Sequence, residues 1–425
     1  VAHQVIYWRR RLPIPPVDYV IIDEDPVAAG LLGDNPKAPK SLSSEEVPGD
    51  VRKAMEQLTL GTAFTRDDFV VSDQRLRRLI RKSFQNTHPV HLAEDSSHEE
   101  IEDAFDATRA NARYVEQAEF YKAILNEGSW GMRTVQLKDG AVALKWLRQR
   151  RIHRDFDVPT LFTDATANWD ATRYLIDCHQ SPPGYAGEPF LDEDGSTSID
   201  YDYPLDPVIS SITVAKANTP NVSYRQVLFS GAAARMGDSE SGRSAVAKMR
   251  RYIEARSVLR RRVLVICQLK LETKLLDLGL PPNVEVAHFN AVRGRDEWND
   301  TDLLIVIGRT QPPPSAMELH AETLFRAPCK TLGPDYYDHA WMPITGSNKE
   351  VSVEQHPDPL VELMRWRVCE AELIQAVGRG RGVNRTASTP LQVDLINMVP
   401  LPDIEIDEVV EWDDAQPDPG AIIAG

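Results

Sequence analysis

Two runs without a single polar side chain, Val263-Leu264-Val265-Ile266-Cys267 and Leu303-Leu304-Ile305-Val306-Ile307, constrain this fold more than any other feature. A strand with one wet face alternates apolar and polar residues. A strand that is apolar throughout must be covered on both faces, as in a parallel sheet clad in helices. Between the two runs, residues 269–278 carry apolar side chains at helical spacing, and residues 284–289 read as a further strand. Strand, helix, strand, loop, strand predicts a parallel α/β sheet. Strand patterning over 208–229, helices over 241–259, 315–325 and 361–377, and a last strand over 389–398 extend this to one domain spanning 208–400.

A shorter apolar run, Val20-Ile21-Ile22, delivers two consecutive carboxylates, Asp23 and Glu24. In open α/β sheets the working groups sit just past the carboxyl ends of the strands. Two acids there suit nucleotide hydrolysis, one for Mg²⁺ and one to polarise the attacking water. Residues 158–163 read as a second such strand, ending in Asp164-Ala165-Thr166. These strands assign 1–33 and 155–180 to an incomplete first parallel-sheet domain. Residues 34–154 between them read as a helical insertion, with helices over 41–60, 72–84, 97–126 and 142–151. Residues 181–207, rich in Pro, Gly and acids, read as a linker, and 401–425 as an acidic tail, disordered or loosely docked.

At 425 residues the chain can hold two or three full cores. Its 48 Lys and Arg against 64 Asp and Glu give a net charge of −16, which excludes a generally basic binder of nucleic acid. Local basic runs remain, Arg75 to Lys82, Arg148 to Arg154 and Arg250 to Arg262, each interleaved with apolar residues as on a solvated helix face. The cysteines Cys178, Cys267, Cys329 and Cys369 form no CxxC pair, which argues against zinc ribbons and clustered iron–sulfur ligands and for free buried thiols. No apolar run approaches the ~20 residues needed to span a bilayer, so no membrane partner is expected, and the expected location is the cytoplasm.

Two further segments complete the ordered set: Gly294-Arg295-Asp296 in a loop, and Gln375-Ala376-Val377-Gly378-Arg379-Gly380-Arg381-Gly382 after a helix. Acid pair, Asp-Ala-Thr, Gly-Arg-Asp and Gln-Gly-Arg-Arg in this order resemble the superfamily 2 helicases. The Xeroderma pigmentosum group D branch with its bacterial damage-inducible relatives is the nearest in pattern. The resemblance implies two RecA-like domains, ATP and Mg²⁺ as ligands, single-stranded DNA as partner, and replication or repair proteins as associates. It implies that Asp23 holds Mg²⁺, that Glu24 activates water, and that Asp164 and Thr166 couple nucleotide state to DNA. Gly294 and Arg295 then face nucleic acid, and Asp296, Gln375 and Gly378 face the nucleotide. Arg379 and Arg381 stabilise the transferring phosphoryl group. The chain departs from the pattern at Asp25-Pro26, where Ala-His is usual. It departs again at Gly382, where the last arginine is usual, leaving Arg381 and Arg385 as displaced candidates. No Gly-Lys dipeptide occurs, so the phosphate-binding loop is expected upstream of Val1. Two other classes fit parts of the pattern: a terminase-like packaging ATPase and nuclease drawing on Asp296 and Asp302, and a catalytically inactive nucleic-acid-binding scaffold.

Overall fold

A computed structural model describes residues 19–22, 40–62, 64, 66–88, 97–126, 132–137, 139–147, 160–162, 189–191, 197–199, 218–230, 239–289, 291–292, 297–325, 329–332, 336–401 and 404–417. The chain divides into two units, Val1–Ser210 with Ser315–Thr331, and Ser211–Pro314 with Leu332–Gly425.

In the first unit, β1 (Val20–Ile22) pairs in parallel with β5 (Thr160–Phe162), Val20 opposite Thr160 and Ile22 opposite Phe162. The 34–154 segment is thus spliced between two neighbouring strands. It is helix-rich as expected, with helices Gly49–Gln57, Asp73–Gln85 and His98–Asn126. It also holds an antiparallel sheet that the helical reading missed, β2 (Lys40–Ser43), β3 (Met132–Gln136) and β4 (Val142–Trp146), in the order β2-β4-β3. The helix expected over 142–151 is therefore a strand as far as Trp146, and the one expected over 41–60 begins only at Gly49. The physical reason is a hairpin turn at Asp139-Gly140: Leu137 N–H donates to Ala141 O at 2.8 Å, and Gly140 adopts φ +87°. An Asp-Gly pair between apolar stretches favours such a turn. Pairing on both edges then buries Leu144 and Trp146, and the Trp146 ring meets Phe120 edge-on at 5.3 Å.

The Pro314–Phe325 helix belongs to this first unit. Its Glu318, His320, Glu322 and Thr323 are as buried as its Met317, Leu319, Ala321 and Leu324. Arg133 of β3 resolves the two carboxylates. Its Nη1 donates to Glu318, while Nε and Nη2 donate to Glu322 at 3.2 and 2.8 Å. Burial pushes the His320 imidazole down to about 4, so it stays neutral.

The second unit carries the parallel sheet expected from the apolar runs. It has six strands in the order β10-β9-β11-β14-β8-β15, every neighbouring pair parallel. These are β8 (Val222–Leu228), β9 (Val263–Cys267), β10 (Val284–His288), β11 (Leu303–Ile307), β14 (Leu391–Ile396) and β15 (Glu408–Glu411). Every residue of β9 and β11 is buried. Val263, Val265, Leu303 and Ile305 pack with Met249, Tyr252 and Ile253 of the Glu240–Ser257 helix and with Leu271 and Leu275 of the Leu269–Leu278 helix. Leu264, Ile266, Leu304 and Val306 face the other way, against Leu373, Ala376 and Val377 of the Pro359–Gly378 helix. The α/β expectation for this unit holds. A hairpin the sequence reading did not foresee, β12 (Asp338–Pro343) with β13 (Glu350–Gln355), completes it. A second short hairpin, β6 (Pro189–Leu191) with β7 (Thr197–Ile199), lies inside the expected linker.

The tail is not loose over its described part. β15 adds to the edge of the main sheet, Val409 opposite Gln226. Tyr224 N–H donates to Asp407 Oδ2 at 2.7 Å, Arg225 pairs with Glu408, and Lys349 pairs with Glu411. Ile406 is buried, and the Trp412 ring meets Phe229 at 4.7 Å and Tyr252 at 5.7 Å in tilted contacts. Apolar residues at 404, 406, 409, 410 and 412 supply a core face that the count of acids concealed. Trp412→Ala is therefore expected to cost about 2 kcal/mol of unfolding free energy, below the ~3–5 kcal/mol of a fully buried aromatic because the residue is half-buried. A chemical denaturation midpoint unchanged by this substitution would show the tail to be dispensable to the sheet.

Candidate phosphate-facing turn at the amino end of the sheet

The expected site residues divide sharply. Asp23, Glu24, Asp164, Thr166, Gly294, Arg295 and Asp296 lie outside the described residues, and so does the magnesium site expected at Asp23. Gln375, Gly378, Arg379 and Arg381 are described, and one turn carries all four.

That turn is built by the Pro359–Gly378 helix. Asp358 caps its start, accepting from Leu360 N–H at 2.9 Å and Val361 N–H at 3.3 Å, and Pro359 sits where its missing N–H costs nothing. At the other end the chain tightens. Arg379, Gly380 and Arg381 N–H donate to Ala376, Val377 and Gly378 carbonyls at 3.0–3.1 Å. Arg381 then turns left-handed, φ 51° and ψ 48°, and the chain passes through Gly382–Asn384 into β14. Two of the glycines sit tight against neighbouring side chains, while Gly378 has open space. A Cβ at Gly380 would lie 2.5 Å from Leu391 Cδ2, and one at Gly382 would lie 3.0 Å from Val222 Cγ2. The turn presses directly on the amino end of β14 and β8.

The two displaced arginines have different fates. Arg385 is buried, and its Nε and Nη2 both donate to Gly380 O at 2.9 and 2.6 Å. Asn221 Nδ2 holds the Arg385 carbonyl in turn at 2.9 Å. Arg385 thus fastens the turn from within, whereas Arg381 is partly exposed at its apex. Arg379 Nη2 reaches Gln375 Oε1 at 3.4 Å. Guanidinium and amide donors of this kind are groups that can bind phosphate oxygens. A helix carboxyl end carries partial negative charge, so any anion affinity here comes from the arginines and not from the helix dipole.

Sequence reasoning missed the groups that hold the neighbouring loop. Asp302, a candidate nuclease acid, accepts from Arg261 N–H at 3.0 Å and Arg262 N–H at 2.8 Å. Burial pushes its carboxyl up, but these amides outweigh that and leave it below the usual carboxylate range. Asp302 precedes β11, so it stands at the amino end of the sheet and acts as a backbone clamp. Arg260 Nη2 donates to Gln392 Oε1 at 2.6 Å. No pattern in the sequence marks these pairs, because their partners lie 41 and 132 positions away.

At the carboxyl end of the sheet, Gln268 Nε2 donates to Arg309 O at 2.6 Å, Arg309 pairs with Glu354, and His288 Nδ1 meets Glu272 Oε2 at 2.6 Å. Cys267 and Cys369 are free and buried, Cys369 pushed up to about 12 by burial, so both are inert thiols. Cys178 lies outside the described residues. Among the described residues no group of His, Cys, Asp or Glu is placed to hold a metal ion, and no helix is long and apolar enough to cross a membrane.

Removing the Arg385 clasp frees a buried carbonyl and the turn above it. Arg385→Ala is expected to lower unfolding free energy by about 2 kcal/mol, the scale of a lost charge-assisted hydrogen bond. It is also expected to speed hydrogen exchange at the amides of residues 380–385. Exchange there at the native rate would contradict the clasp.

No family model matches the chain, and no curated protein sequence matches it. Three solved chains match in structure, among them an XPD helicase. That helicase is 11% identical, with a TM-score of 0.37, and the match covers 89% of this chain and 64% of the helicase chain. The chain therefore spans less than two thirds of that helicase's length.

Proposed function

We propose that this chain works in an ATP-dependent helicase or translocase acting on DNA. The observation that carries the reading is the parallel pairing of β1 with β5. Asp23 follows β1 directly, and Asp164 comes two residues after β5. Loops leaving the carboxyl ends of neighbouring parallel strands start side by side, where α/β sheets place their ligands. The arginine turn of the second unit, taken by itself, carries cations of the kind that bind phosphate.

In this reading Glu24 polarises the attacking water, and Arg379 and Arg381 stabilise the charge that develops on the transferring phosphoryl group. Bound Mg²⁺, held by Asp23, would neutralise charge on the triphosphate. Asp296, Gln375 and Gly378 contact the nucleotide, Asp164 and Thr166 couple its state to movement, and Gly294 and Arg295 meet the DNA backbone. Single-stranded DNA is the partner this assignment calls for.

Glu24→Gln in the full-length protein tests it. Hydrolysis of ATP should fall about a thousandfold, the scale of a lost general base, while affinity for single-stranded DNA stays unchanged. A wild-type protein that binds DNA but shows no hydrolysis for this substitution to remove would favour a binding scaffold.

A further inference from the structure

Among the described residues, two that are not glycine have left-handed backbones, Leu259 (φ 62°) and Arg381 (φ 51°). A residue in this conformation is strained and persists only where the surroundings demand it. Both stand at the same end of the same sheet. Leu259 precedes β9 by four residues, Arg381 precedes β14 by ten, and a single strand, β11, separates β9 from β14.

The strain at Leu259 is not repaid by burial, since its side chain is 99% exposed. What the kink does is split the arginines that follow. Arg260 turns inward to Gln392 of β14. Arg261 has its amide pinned by Asp302, and its side chain, 74% exposed, stands outward with Nε 3.8 Å from that carboxylate. The Asp302 carbonyl in turn accepts from Gln392 N–H at 3.1 Å, and the preceding Leu391 is the side chain that Gly380 presses on, so Arg261 and the arginine turn meet at the same start of β14. Two acids stand among these arginines, Asp302, which accepts from the Arg261 and Arg262 amides and pairs with the Arg261 side chain, and Asp300, which pairs with Arg262 Nη1 at 2.5 Å. Arginines 260, 261, 262, 379, 381 and 385 thus stand at one end of the sheet against Asp300 and Asp302, in a protein whose net charge is −16. Cations so concentrated focus the field toward an anionic ligand. Beside them Val258, Leu259 and Val383 are 64, 99 and 58% exposed, apolar surface of the kind a nucleobase covers.

We propose that the Leu259–Arg261 loop and the Gly378–Arg385 turn form one rim for a nucleoside triphosphate, in which Arg261 is a second cation for the phosphates beside Arg381. The proposal rests on reading the turn as phosphate-facing. The same phosphate chemistry is present in a DNA backbone, and the two sources separate by experiment.

The test is calorimetric titration of the full-length protein at low salt with ATP, with sodium tripolyphosphate and with an oligothymidine. Circular dichroism confirms that each variant is folded. Arg261→Ala is expected to weaken ATP and tripolyphosphate about tenfold, the scale of one charge-assisted contact, and to leave the oligothymidine unmoved. Arg261→Lys should recover part of the loss, because charge survives where the guanidinium fork does not. Arg251→Ala, on the exposed face of the Glu240–Ser257 helix, should match wild type. If Arg381→Ala weakens ATP and Arg261→Ala does not, the turn is phosphate-facing and the shared rim is wrong. If neither changes ATP affinity, both the rim and the reading of the turn are wrong. Loss of oligothymidine affinity with ATP binding intact would overturn the nucleotide assignment and give the rim to DNA.

Discussion

Strands β9 and β11 offer no polar side chain to either face, and the second unit is the consequence. Ten buried residues on two neighbouring strands require cover on both faces, and a parallel sheet, whose strands are joined by long crossovers, supplies it with helices. Once that sheet exists, its amino and carboxyl ends become two distinct surfaces. The crossover from the Pro359–Gly378 helix into β14 must turn at the amino end. There the chain runs close to the Leu391 and Val222 side chains, which would have to shift to admit a Cβ at 380 or 382. The arginines interleaved with those glycines are left to face outward or to turn in.

Which arginine does which is decided by one carbonyl. Gly380 O has no partner in the helix ladder, and Arg385 supplies two donors to it from five residues on. A buried, unpartnered carbonyl would cost on the order of 1–3 kcal/mol, so Arg385 is drawn inward and Arg381 is left at the apex. The first unit repeats the logic with opposite charges: Glu318 and Glu322 are buried in the Pro314–Phe325 helix, and Arg133 satisfies both. Removing one partner of such a cluster is far more costly than the cluster's own net contribution, so it specifies which helix docks there more than it stabilises the unit.

Local signals were legible and non-local ones were not. The strand 303–307 and the helix 269–278 were readable to the residue, since period and length suffice for both. The strand Val142–Trp146 was misread because Ala143, Leu144 and Lys145 favour a helix locally, while its pairing partners lie beside Leu42 and Thr134. The Asp139-Gly140 turn was the available signal. In the tail, acids between apolar residues hid an edge strand. At the site, the arginine turn was readable as a turn. That Arg385 points inward and that Leu259 kinks the next loop depend on contacts no spacing encodes. Asp23, Glu24, Asp164 and Thr166 lie outside the described residues, and what the structure shows there is the parallel pair of strands that precede them.

The account stands on arginines at the amino end of this sheet acting on a nucleotide phosphate, and Arg379 is their most direct probe. DNA-stimulated ATP hydrolysis by the full-length protein should fall at least about a thousandfold in Arg379→Ala, the scale of a lost arginine finger, with DNA affinity retained. Hydrolysis at the wild-type rate in that variant would contradict the account.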